Sequence, residues 1–358
     1  MHPPIIMIPF LLLIFSPLAI LLVQPGEAAQ ARRRPNGRSA IHPDTSSKYD
    51  RSITTFSSEG RLLQVEYGAI AAGKGSTVTG LDLDCLSNST HCDPPRRGIV
   101  LAVRHEARPS SSTSACFDKV QRIDDHALLI TSGLSGDSRA LASTARVKCQ
   151  NLRMGYGEAP MLSEVANMVG SAQHELTRIG GARPFGVSAI VAGIDPLPDQ
   201  QRQGNASSIA GDEHKGTIGV PLLFRTDPGG AVDRCDFCAI GKGSEGAITA
   251  LETAVNFALK QLEESDKHRD DGVHEQIIFD ALRGVAMAAM DSDADTSLRP
   301  PLSDDHRQGR DGEEDNGNAV DLWLIEGSPN RRGAARFAVA RSVGRKDLDK
   351  AVKLLLHN

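Results

Sequence analysis

The sequence predicts an α+β domain in which antiparallel sheets carry helices in pairs on their outer faces. Forty per cent of the 358 residues are hydrophobic and 24% are charged, which supplies enough apolar side chains for a large core. Segments of strand and helix periodicity follow one another as strands, two helices, strands, two helices and strands. This grouping differs from the strand–helix alternation of a parallel sheet, so it favours antiparallel sheets.

The elements are assigned from the spacing of their apolar residues. Short apolar runs predict strands, and apolar residues three and four positions apart predict helices. A hairpin is predicted where Pro228-Gly229-Gly230 separates two apolar runs. In chain order, the predicted elements are strands at 98–107 and 126–134, helices at 138–155 and 161–179, a strand at 183–195, the hairpin at 220–241, helices at 244–264 and 273–290, strands at 319–327 and 335–343, and a closing helix at 347–357.

Residues 49–80 form the most organised stretch before the first of these strands. Ser57 or Ser58 is expected to cap a three-turn helix that ends at Gly73 and Gly75, with β-branched strand residues after it. The apolar side of this helix must pack either on the chain's own core or on a neighbouring subunit. The predicted apolar side consists of Leu62, Leu63, Val65, Ala69, Ile70 and Ala72.

The composition argues against several classes of function. A formal net charge of −5 disfavours a general nucleic-acid binder, and 4% aromatic residues disfavour a base-stacking surface. Cys235 and Cys238 form a single C-x-x-C with no second pair at zinc spacing. We therefore expect two structural thiols there, with no metal or other cofactor.

The N-terminal segment is set apart by its apolar residues. Residues 5–23 carry no charge, and small residues follow at Ala28, Ala29 and Ala31, a pattern typical of a secretory signal peptide. We expect a signal-peptide-like or anchor segment at 1–31 and an Arg/Ser-rich linker at 32–48. A cleaved signal, a retained membrane anchor, a transit-like address and a start codon assigned too far upstream all remain open.

Three polar stretches, at 82–97, 196–216 and 291–318, interrupt the domain that we expect to span 49–358. Each is rich in Gly, Pro, Ser or acidic residues and too polar to bury itself, so each is predicted to be a long surface loop. Asn88 and Asn205 lie in N-x-S/T sequons, which matter only if the chain enters the secretory route.

Residues 49–80 resemble the N-terminal signature of proteasome alpha-type subunits. The shared motifs are YDR, FSxxGRLxQVEY and the glycine of KGST. Three further segments resemble the family in the same order: KVQRIDDHALLITSGL at 119–134, GGARPFGVSAIVAGID at 180–195 and TDPGGAVDRCDFCAIG at 226–241. The resemblance covers Tyr49 to about Ile190 and Leu222 to Asn358, with the insertions between.

The resemblance implies a fold, an assembly and a set of partners. The fold would be a four-layer αββα sandwich of two antiparallel sheets, the Ntn-hydrolase-like architecture. Seven alpha subunits would form a ring that contacts a beta ring, admits substrates through a gate and docks the C-terminal tails of regulatory particles. The resemblance also implies a cytoplasmic and nuclear subunit that supports ubiquitin-dependent and other proteasomal degradation. Contact with a membrane is expected only if the N-terminal segment is retained.

The family's gate and ring contacts can be transferred only to matching positions. Ser58 stands where the family has proline and cannot supply the fixed φ of that residue. Gly68 likewise replaces an alanine, at a cost of about 0.5–1 kcal/mol in helix propensity. The matching gate and ring positions are Tyr49, Asp50, Arg51, Ser58 and Tyr67.

Lys119 and Gly75 match a pocket that the resemblance implies between neighbouring subunits. In the family, such a lysine receives the C-terminal carboxylate of a regulatory particle. An ammonium group facing a carboxylate is a charge-assisted contact, which gives this residue type a physical reason to occupy the pocket.

The related catalytic beta subunits use an N-terminal threonine whose own amine acts as the base. Ser76 occupies that place here, Arg104 stands at the aspartate position, and only Lys119 is retained. A non-catalytic subunit is therefore predicted. Two alternatives remain: a catalytic Ntn-hydrolase matured by cleavage before Ser76, and an alpha-type paralogue directed to a membrane-bounded compartment such as the ER.

Overall fold

A computed structural model of the protein describes residues 52–86, 98–104, 119–195, 219–265, 271–291, 319–327 and 335–357. All of them belong to one unit of the chain, Thr45–Asn358. Several predictions lie outside the described residues. These are the segments 1–31 and 32–48, the gate residues Tyr49, Asp50 and Arg51, the sequons at Asn88 and Asn205, and the insertions apart from residues 82–86 and Asp291.

The described residues form six α-helices, ten strands and a one-turn 3-10 helix, Leu83–Leu86. Each helix and strand predicted from apolar spacing is present, and the described ends agree with the predicted ones to within a few residues. The helices are α1 (Leu63–Gly73), α2 (Ser135–Tyr156), α3 (Leu162–Arg178), α4 (Ser244–Ser265), α5 (Asp271–Met290) and α6 (Leu348–His357). The strands are β1 (Val78–Asp82), β2 (Gly98–Arg104), β3 (Val120–Arg122), β4 (Ala127–Gly133), β5 (Val187–Asp195), β6 (Val220–Thr226), β7 (Val232–Arg234), β8 (Phe237–Ile240), β9 (Val320–Gly327) and β10 (Ala335–Val343).

The strands form two five-stranded sheets in which every neighbouring pair is antiparallel. Sheet I has the order β10-β9-β2-β1-β8, and sheet II has the order β3-β4-β5-β6-β7. In sheet I, β1 pairs with β2 through Leu81 and Val100 and with β8 through Val78 and Ile240. The antiparallel α+β prediction is confirmed.

Alternate residues of the strands face two different cores, which builds four layers. In β2, Val100 and Ala102 pack against α4, α5 and α6, whereas Ile99 and Leu101 face sheet II. In sheet II, Leu129 and its neighbours on the same face pack against α2 and α3. Strands buried on both faces read as continuous apolar runs. The predicted four-layer αββα sandwich is therefore confirmed.

The hairpin predicted over 220–241 is correct only as far as Arg234. Strands β6 and β7 pair across the turn, where the Gly230 N–H donates to the Asp227 carbonyl oxygen at 3.0 Å. The chain then leaves sheet II, and β8 pairs with β1 in sheet I. The crossing point lies at Cys235 and Asp236. The Cys235 N–H still donates to sheet II, at the Leu223 oxygen, while the Asp236 oxygen accepts from Asp82 of sheet I.

The predicted helix cap at Ser57 or Ser58 is wrong, because α1 begins at Leu63 after an N-cap residue, Leu62, without a side-chain cap. Ser57 instead organises a turn before the helix. Its carbonyl oxygen accepts from the Gly60 N–H at 2.9 Å, and its hydroxyl oxygen accepts from the Arg61 N–H at 3.1 Å. Ser57 therefore uses its polar groups for the hydrogen bonds of a tight turn and does not cap the helix.

Two further sequence predictions need correction. The polar insertion predicted at 82–97 begins later, because Asp82 ends β1 and the 3-10 helix buries Leu83 and Leu86. The predicted apolar side of α1 is also partly wrong, since Ala69 and Ile70 are exposed. The buried residues of that helix are Gly68 and Ala72.

None of the helices in the described segments is long and apolar enough to span a membrane.

Candidate functional site

The C-terminus of α1, the start of β1 and the ends of β4 and β8 meet with almost no space between their backbones. A Cβ atom on Gly75 would lie 2.2 Å from the Gly133 nitrogen and 2.4 Å from Ser132 Oγ. Gly133 itself has φ of +125°, and a Cβ there would lie 2.2 Å from the Gly186 oxygen. Both positions require glycine, because a Cβ atom at either one would overlap with neighbouring backbone atoms.

Hydrogen bonds from three directions hold the segment from Gly75 to Thr77. The Lys242 N–H after β8 donates to the Gly75 oxygen at 2.7 Å. Ser132 Oγ in β4 donates to the Ser76 oxygen at 2.9 Å. The Arg104 N–H at the end of β2 donates to the Thr77 oxygen at 3.0 Å. The start of β1 is therefore fixed relative to both sheets.

Four of the residues singled out from the sequence come together at this place, and we call Gly75, Ser76, Arg104 and Lys119 the Lys119 corner. The Lys119 ammonium donates to Ser76 Oγ across a separation of 43 residues. Ser76 Oγ donates in turn to the Arg104 carbonyl oxygen at 3.0 Å. The Lys119 backbone is held by the Thr131 N–H, which donates to its carbonyl oxygen at 3.1 Å.

The Lys119 corner does not provide a nucleophile with a base. The nitrogen of Ser76 belongs to the peptide bond with Gly75, so it is not the free amine that an N-terminal nucleophile uses. The hydroxyl proton of Ser76 is directed to a carbonyl oxygen, and the ammonium of Lys119 acts as a donor.

The two cysteines of the C-x-x-C, Cys235 and Cys238, pack in or against the hydrophobic core between the sheets. Burial raises the pKa of the Cys238 thiol, which faces the core between the sheets, and it also raises the pKa of Cys235. A raised pKa disfavours the thiolate that redox chemistry and metal binding require. In the described part of the chain, no three His, Cys, Asp or Glu side chains are grouped so that they could hold a metal ion.

Helix α1 rests on sheet II through its smallest residues and exposes larger ones. At Gly68, a Cβ would already lie 3.2 Å from the Phe185 oxygen and 3.3 Å from Pro184 Cβ. Tyr67 and Ile70 lie three residues apart on α1 and are 43% and 57% exposed. We call the exposed apolar residues on and beside this helix the α1 surface. They are Phe56, Tyr67, Ile70 and Leu134.

A charged pair joins the turn before α1 to the helix. The Arg61 guanidinium donates to both carboxylate oxygens of Glu66, with Nε at 2.7 Å from Oε1. The hydrogen bond from Arg61 lowers the pKa of the Glu66 carboxyl. Ser58 is exposed in the turn itself. Tyr67 is exposed as well, so the two predicted gate residues that the structure describes, Ser58 and Tyr67, both lie on the surface.

The RPFG segment is attached to the first turn of α2 by a second charged pair. The Arg183 guanidinium donates to both oxygens of Asp137, at 2.6 and 2.7 Å, and the Gly186 N–H donates to the same carboxylate at 3.0 Å. Burial by itself raises the pKa of Asp137, but these hydrogen bonds outweigh it and the pKa is lowered. The pair positions Gly186 beneath Ala71 of α1.

Sequence reasoning did not single out Ser132, Lys242 or Asp137, although all three shape this region. Ser132 acts through a hydrogen bond from its hydroxyl to the Ser76 carbonyl oxygen. Lys242 acts through its backbone, whose N–H donates to Gly75 and whose oxygen accepts from the Thr77 hydroxyl, and both partners are distant in sequence. The available signals were the glycines beside them, Gly133 and Gly241, since a glycine at the end of a strand often marks a close backbone approach.

Comparison with known proteins gives two matching family profiles. The profile described as proteasome subunit matches residues 96–268, and the profile described as the N-terminal signature of A-type proteasome subunits matches residues 49–71. The alpha type-7 proteasome subunit of Dictyostelium discoideum is 32% identical over 211 residues, which cover 58% of this chain and 70% of that protein.

Archaeal relatives give the same result. A proteasome alpha subunit of Methanococcus maripaludis is 35% identical over 207 residues, covering 58% of this chain and 67% of that protein. The proteasome alpha subunit of Archaeoglobus fulgidus is 29% identical over 252 residues, covering 70% and 81%.

The α+β sandwich and the first profile define a proteasome-type subunit of the Ntn-hydrolase-like class. The N-terminal signature and the named relatives narrow this further. The chain belongs to the proteasome alpha-type subunit family. These findings support the non-catalytic interpretation and do not support the catalytic beta-type alternative.

Proposed function

We propose that this chain is a structural and gating subunit of the alpha ring of the 20S proteasome, a threonine-type endopeptidase complex, and has no active site of its own. The observation that carries the proposal is the α1 signature helix, which is seated on sheet II and exposes Tyr67 and Ile70. A helix that buries only its smallest residues leaves its larger apolar side chains for another surface.

Through the α1 surface, the subunit contacts its neighbours in a ring of seven alpha subunits, and the ring contacts a beta ring. Aromatic residues are enriched in protein interfaces because they bury a large area with few rotatable bonds. Tyr67, together with Tyr49, Asp50 and Arg51 of the signature, forms the gate and ring contacts. The exposed turn at Ser58 sets how firmly the segment before α1 is anchored.

The Lys119 corner docks the C-terminal tails of regulatory particles. Gly75 permits close backbone approach at the corner, and the Lys119 ammonium lies beside Ser76. A lysine ammonium and a terminal carboxylate form a charge-assisted contact. In this role the subunit controls substrate access during ubiquitin-dependent and other proteasomal degradation in the cytoplasm and nucleus.

Assembly tests the main proposal. The full-length chain, tagged in its own cells, is expected to co-purify with other alpha subunits in a seven-membered ring, identified by native mass spectrometry and cross-linking. Tyr67→Ser combined with Ile70→Ser should reduce incorporation about tenfold or more, since the two side chains are central to the α1 surface. The matched control is Leu354→Ser on α6, whose side chain is 65% exposed and distant in sequence.

Two results would overturn the proposal. One is a wild-type chain that purifies without any other alpha subunit. The other is equal incorporation of the double variant, the control and the wild type.

A second candidate is an alpha-type paralogue delivered to a membrane-bounded compartment. The observation that favours it is the uncharged run at residues 5–23. A fluorescent reporter fused after residue 48 should leave the cytosol if this is correct. A uniformly cytosolic and nuclear signal would reject it.

A further inference from the structure

We propose that Ser76 is a positioning residue that holds the Lys119 ammonium ready for a C-terminal carboxylate. This inference rests on the docking role proposed above for the Lys119 corner. Ser76 occupies the place of a nucleophile in the catalytic relatives of the family, so its hydroxyl needs a different explanation here.

The direction of the hydrogen bonds assigns the role. Lys119 donates to Ser76 Oγ, and Ser76 Oγ donates to the Arg104 carbonyl oxygen at 3.0 Å. A hydroxyl has one proton and two acceptor lone pairs. Because the proton is directed to Arg104, a lone pair of the same oxygen is directed to the ammonium.

Ser76 can act as a fixed support because its own backbone cannot shift. Ser132 Oγ donates to its carbonyl oxygen at 2.9 Å, and the Lys242 N–H donates to the preceding carbonyl, that of Gly75, at 2.7 Å. A Cβ on Gly241 would lie 2.5 Å from the Ser76 oxygen, so that side is also filled by backbone. Ser76 is only 9% exposed.

A neutral hydroxyl is suited to this task. Lysine loses considerable rotamer freedom when it binds a ligand, and a side chain that is already held loses less on binding. An ammonium has three N–H donors and can hold a hydroxyl oxygen and a carboxylate at once. Unlike an acidic residue at this position, Ser76 carries no negative charge that would neutralise the ammonium of Lys119.

The test uses assembled particles that contain the full-length chain. Reductive methylation of Lys119 is followed by mass spectrometry while two synthetic decapeptides are titrated. They have the same sequence, one with a free C-terminal carboxylate and one amidated. With wild-type Ser76, the carboxylate peptide should protect Lys119 at concentrations where the amidated peptide does not.

Ser76→Ala should raise the half-protecting concentration about tenfold, which corresponds to the loss of one hydrogen bond to a charged group. Ser76→Thr keeps the hydroxyl and should remain within about threefold of the wild type. If the alanine variant fails to assemble, Ser76→Cys replaces it. A thiol is a weaker acceptor of similar size, and a rise of about threefold or more is expected.

The outcomes separate the two claims. If the carboxylate peptide does not protect wild-type Lys119 better than the amidated one, the proposed docking role fails. If wild-type protection is carboxylate-specific but Ser76→Ala, or Ser76→Cys in its place, matches the wild type, docking stands and the positioning role is rejected.

Discussion

At the scale of single residues, buried carboxylates in this fold are stabilised to very different degrees. Asp137 accepts hydrogen bonds from Arg183 and from the Gly186 N–H. Among the described residues, the Asp82 carboxylate accepts from the Asp84 N–H at 3.0 Å, and the nearby acidic residues Asp84 and Asp236 oppose its charge while Arg234 favours it. The first residue therefore favours its charged form and the second favours its neutral form.

Removing Asp137 should cost more than removing its partner. Asp137→Ala leaves the Gly186 N–H buried without its acceptor, and we expect a loss of about 1–3 kcal/mol in the free energy of unfolding. Arg183→Ala leaves that hydrogen bond in place and exposes the carboxylate to water, so the loss should be smaller. Urea unfolding of the purified chain measures both. An equal or larger loss for Arg183→Ala would contradict this account.

Asp82 should make stability depend on pH. Burial, reinforced by Asp84 and Asp236, raises its pKa from 3.8 to about 7. Because the folded state favours the protonated carboxyl, its contribution is complete below about pH 4 and is lost as the pH rises through 7. Asp82→Asn should flatten this decline, whose slope is at most about 1.4 kcal/mol per pH unit.

The measurement for Asp82 is the free energy of unfolding between pH 4 and 8, with Asp347→Asn as the control. Asp347 is an exposed carboxylate on the surface beside α6. The control should keep the wild-type slope and Asp82→Asn should not. Identical slopes in all three proteins would show that Asp82 does not titrate in this range.

At the scale of elements, close approach between backbones decides where α1 and β1 lie. Gly68 and Ala72 let α1 rest on sheet II, and Gly75 lets the chain pass against the end of β4. Hydrophobic area alone does not fix this geometry, since Tyr67 and Ile70, two of the larger apolar residues of α1, are exposed. Small residues allow the backbones of α1 and sheet II to come close together. The hydrogen bonds around Ser76 then hold the start of β1 in place.

Two glycines near the end of α1 provide a matched pair of substitutions. Gly75→Ala places a Cβ 2.2 Å from a backbone nitrogen, so we expect a loss of about 3 kcal/mol or more. Gly73→Ala meets no atom within 4 Å and should stabilise the helix by about 0.5–1 kcal/mol. Thermal unfolding distinguishes the two. Similar effects of both variants would refute the packing argument.

At the scale of the whole molecule, two sheets share one core and each carries a helix layer on its other face. The chain changes sheet between β7 and β8, where Cys235 and Asp236 bond to different sheets. Assembly and gating would act on the end of this sandwich where α1 and its preceding turn lie. A substitution in the turn at Ser57–Gly60 is therefore expected to change the activity of the assembled particle.

Ser58→Pro restores the proline that the alpha-type family has among its gate contacts. We therefore expect it to favour the open gate and to increase the basal rate at which assembled particles hydrolyse a fluorogenic peptide. Proline is favoured at the second position of common β-turns, and no backbone hydrogen bond from the Ser58 N–H is found in the described residues. Stabilising the turn by about 0.4 kcal/mol corresponds to a change of about twofold. Glu59→Pro, at the third position, should disrupt the turn.

The gate origin of this effect is tested in particles whose chain lacks residues 1–51. Without the tail, Ser58→Pro and the wild type should hydrolyse the peptide at equal rates. A rate increase that persists after the truncation would assign the effect to something other than the gate.

Much of the fold was predictable because apolar spacing is a local property. The two-sided burial of β2, with Ile99 and Val100 in different cores, appears in the sequence as a continuous apolar run. The hairpin after Thr226 was misjudged because the apolar residues of β8 suit either sheet. Only the pairing with β1 assigns that strand to sheet I.

The candidate site was predictable only through resemblance to a family. Nothing local to Lys119 indicates that its ammonium meets Ser76, 43 residues away, or that Ser76 is bonded to Arg104. The cap prediction at Ser57 failed for a related reason. The same hydroxyl that can cap a helix can also close a turn, and here it accepts from the Arg61 N–H in the turn while α1 begins only at Leu63.

The order of strands and helices and the α+β class follow from the printed residues alone. The crossing of β8 into sheet I, the outward direction of Tyr67 and Ile70 and the Lys119 corner do not. Periodicity depends on neighbours three or four positions apart, whereas these features depend on backbones that meet across dozens of residues. Their geometry is set by the packing of whole layers, with glycines at the points of closest approach.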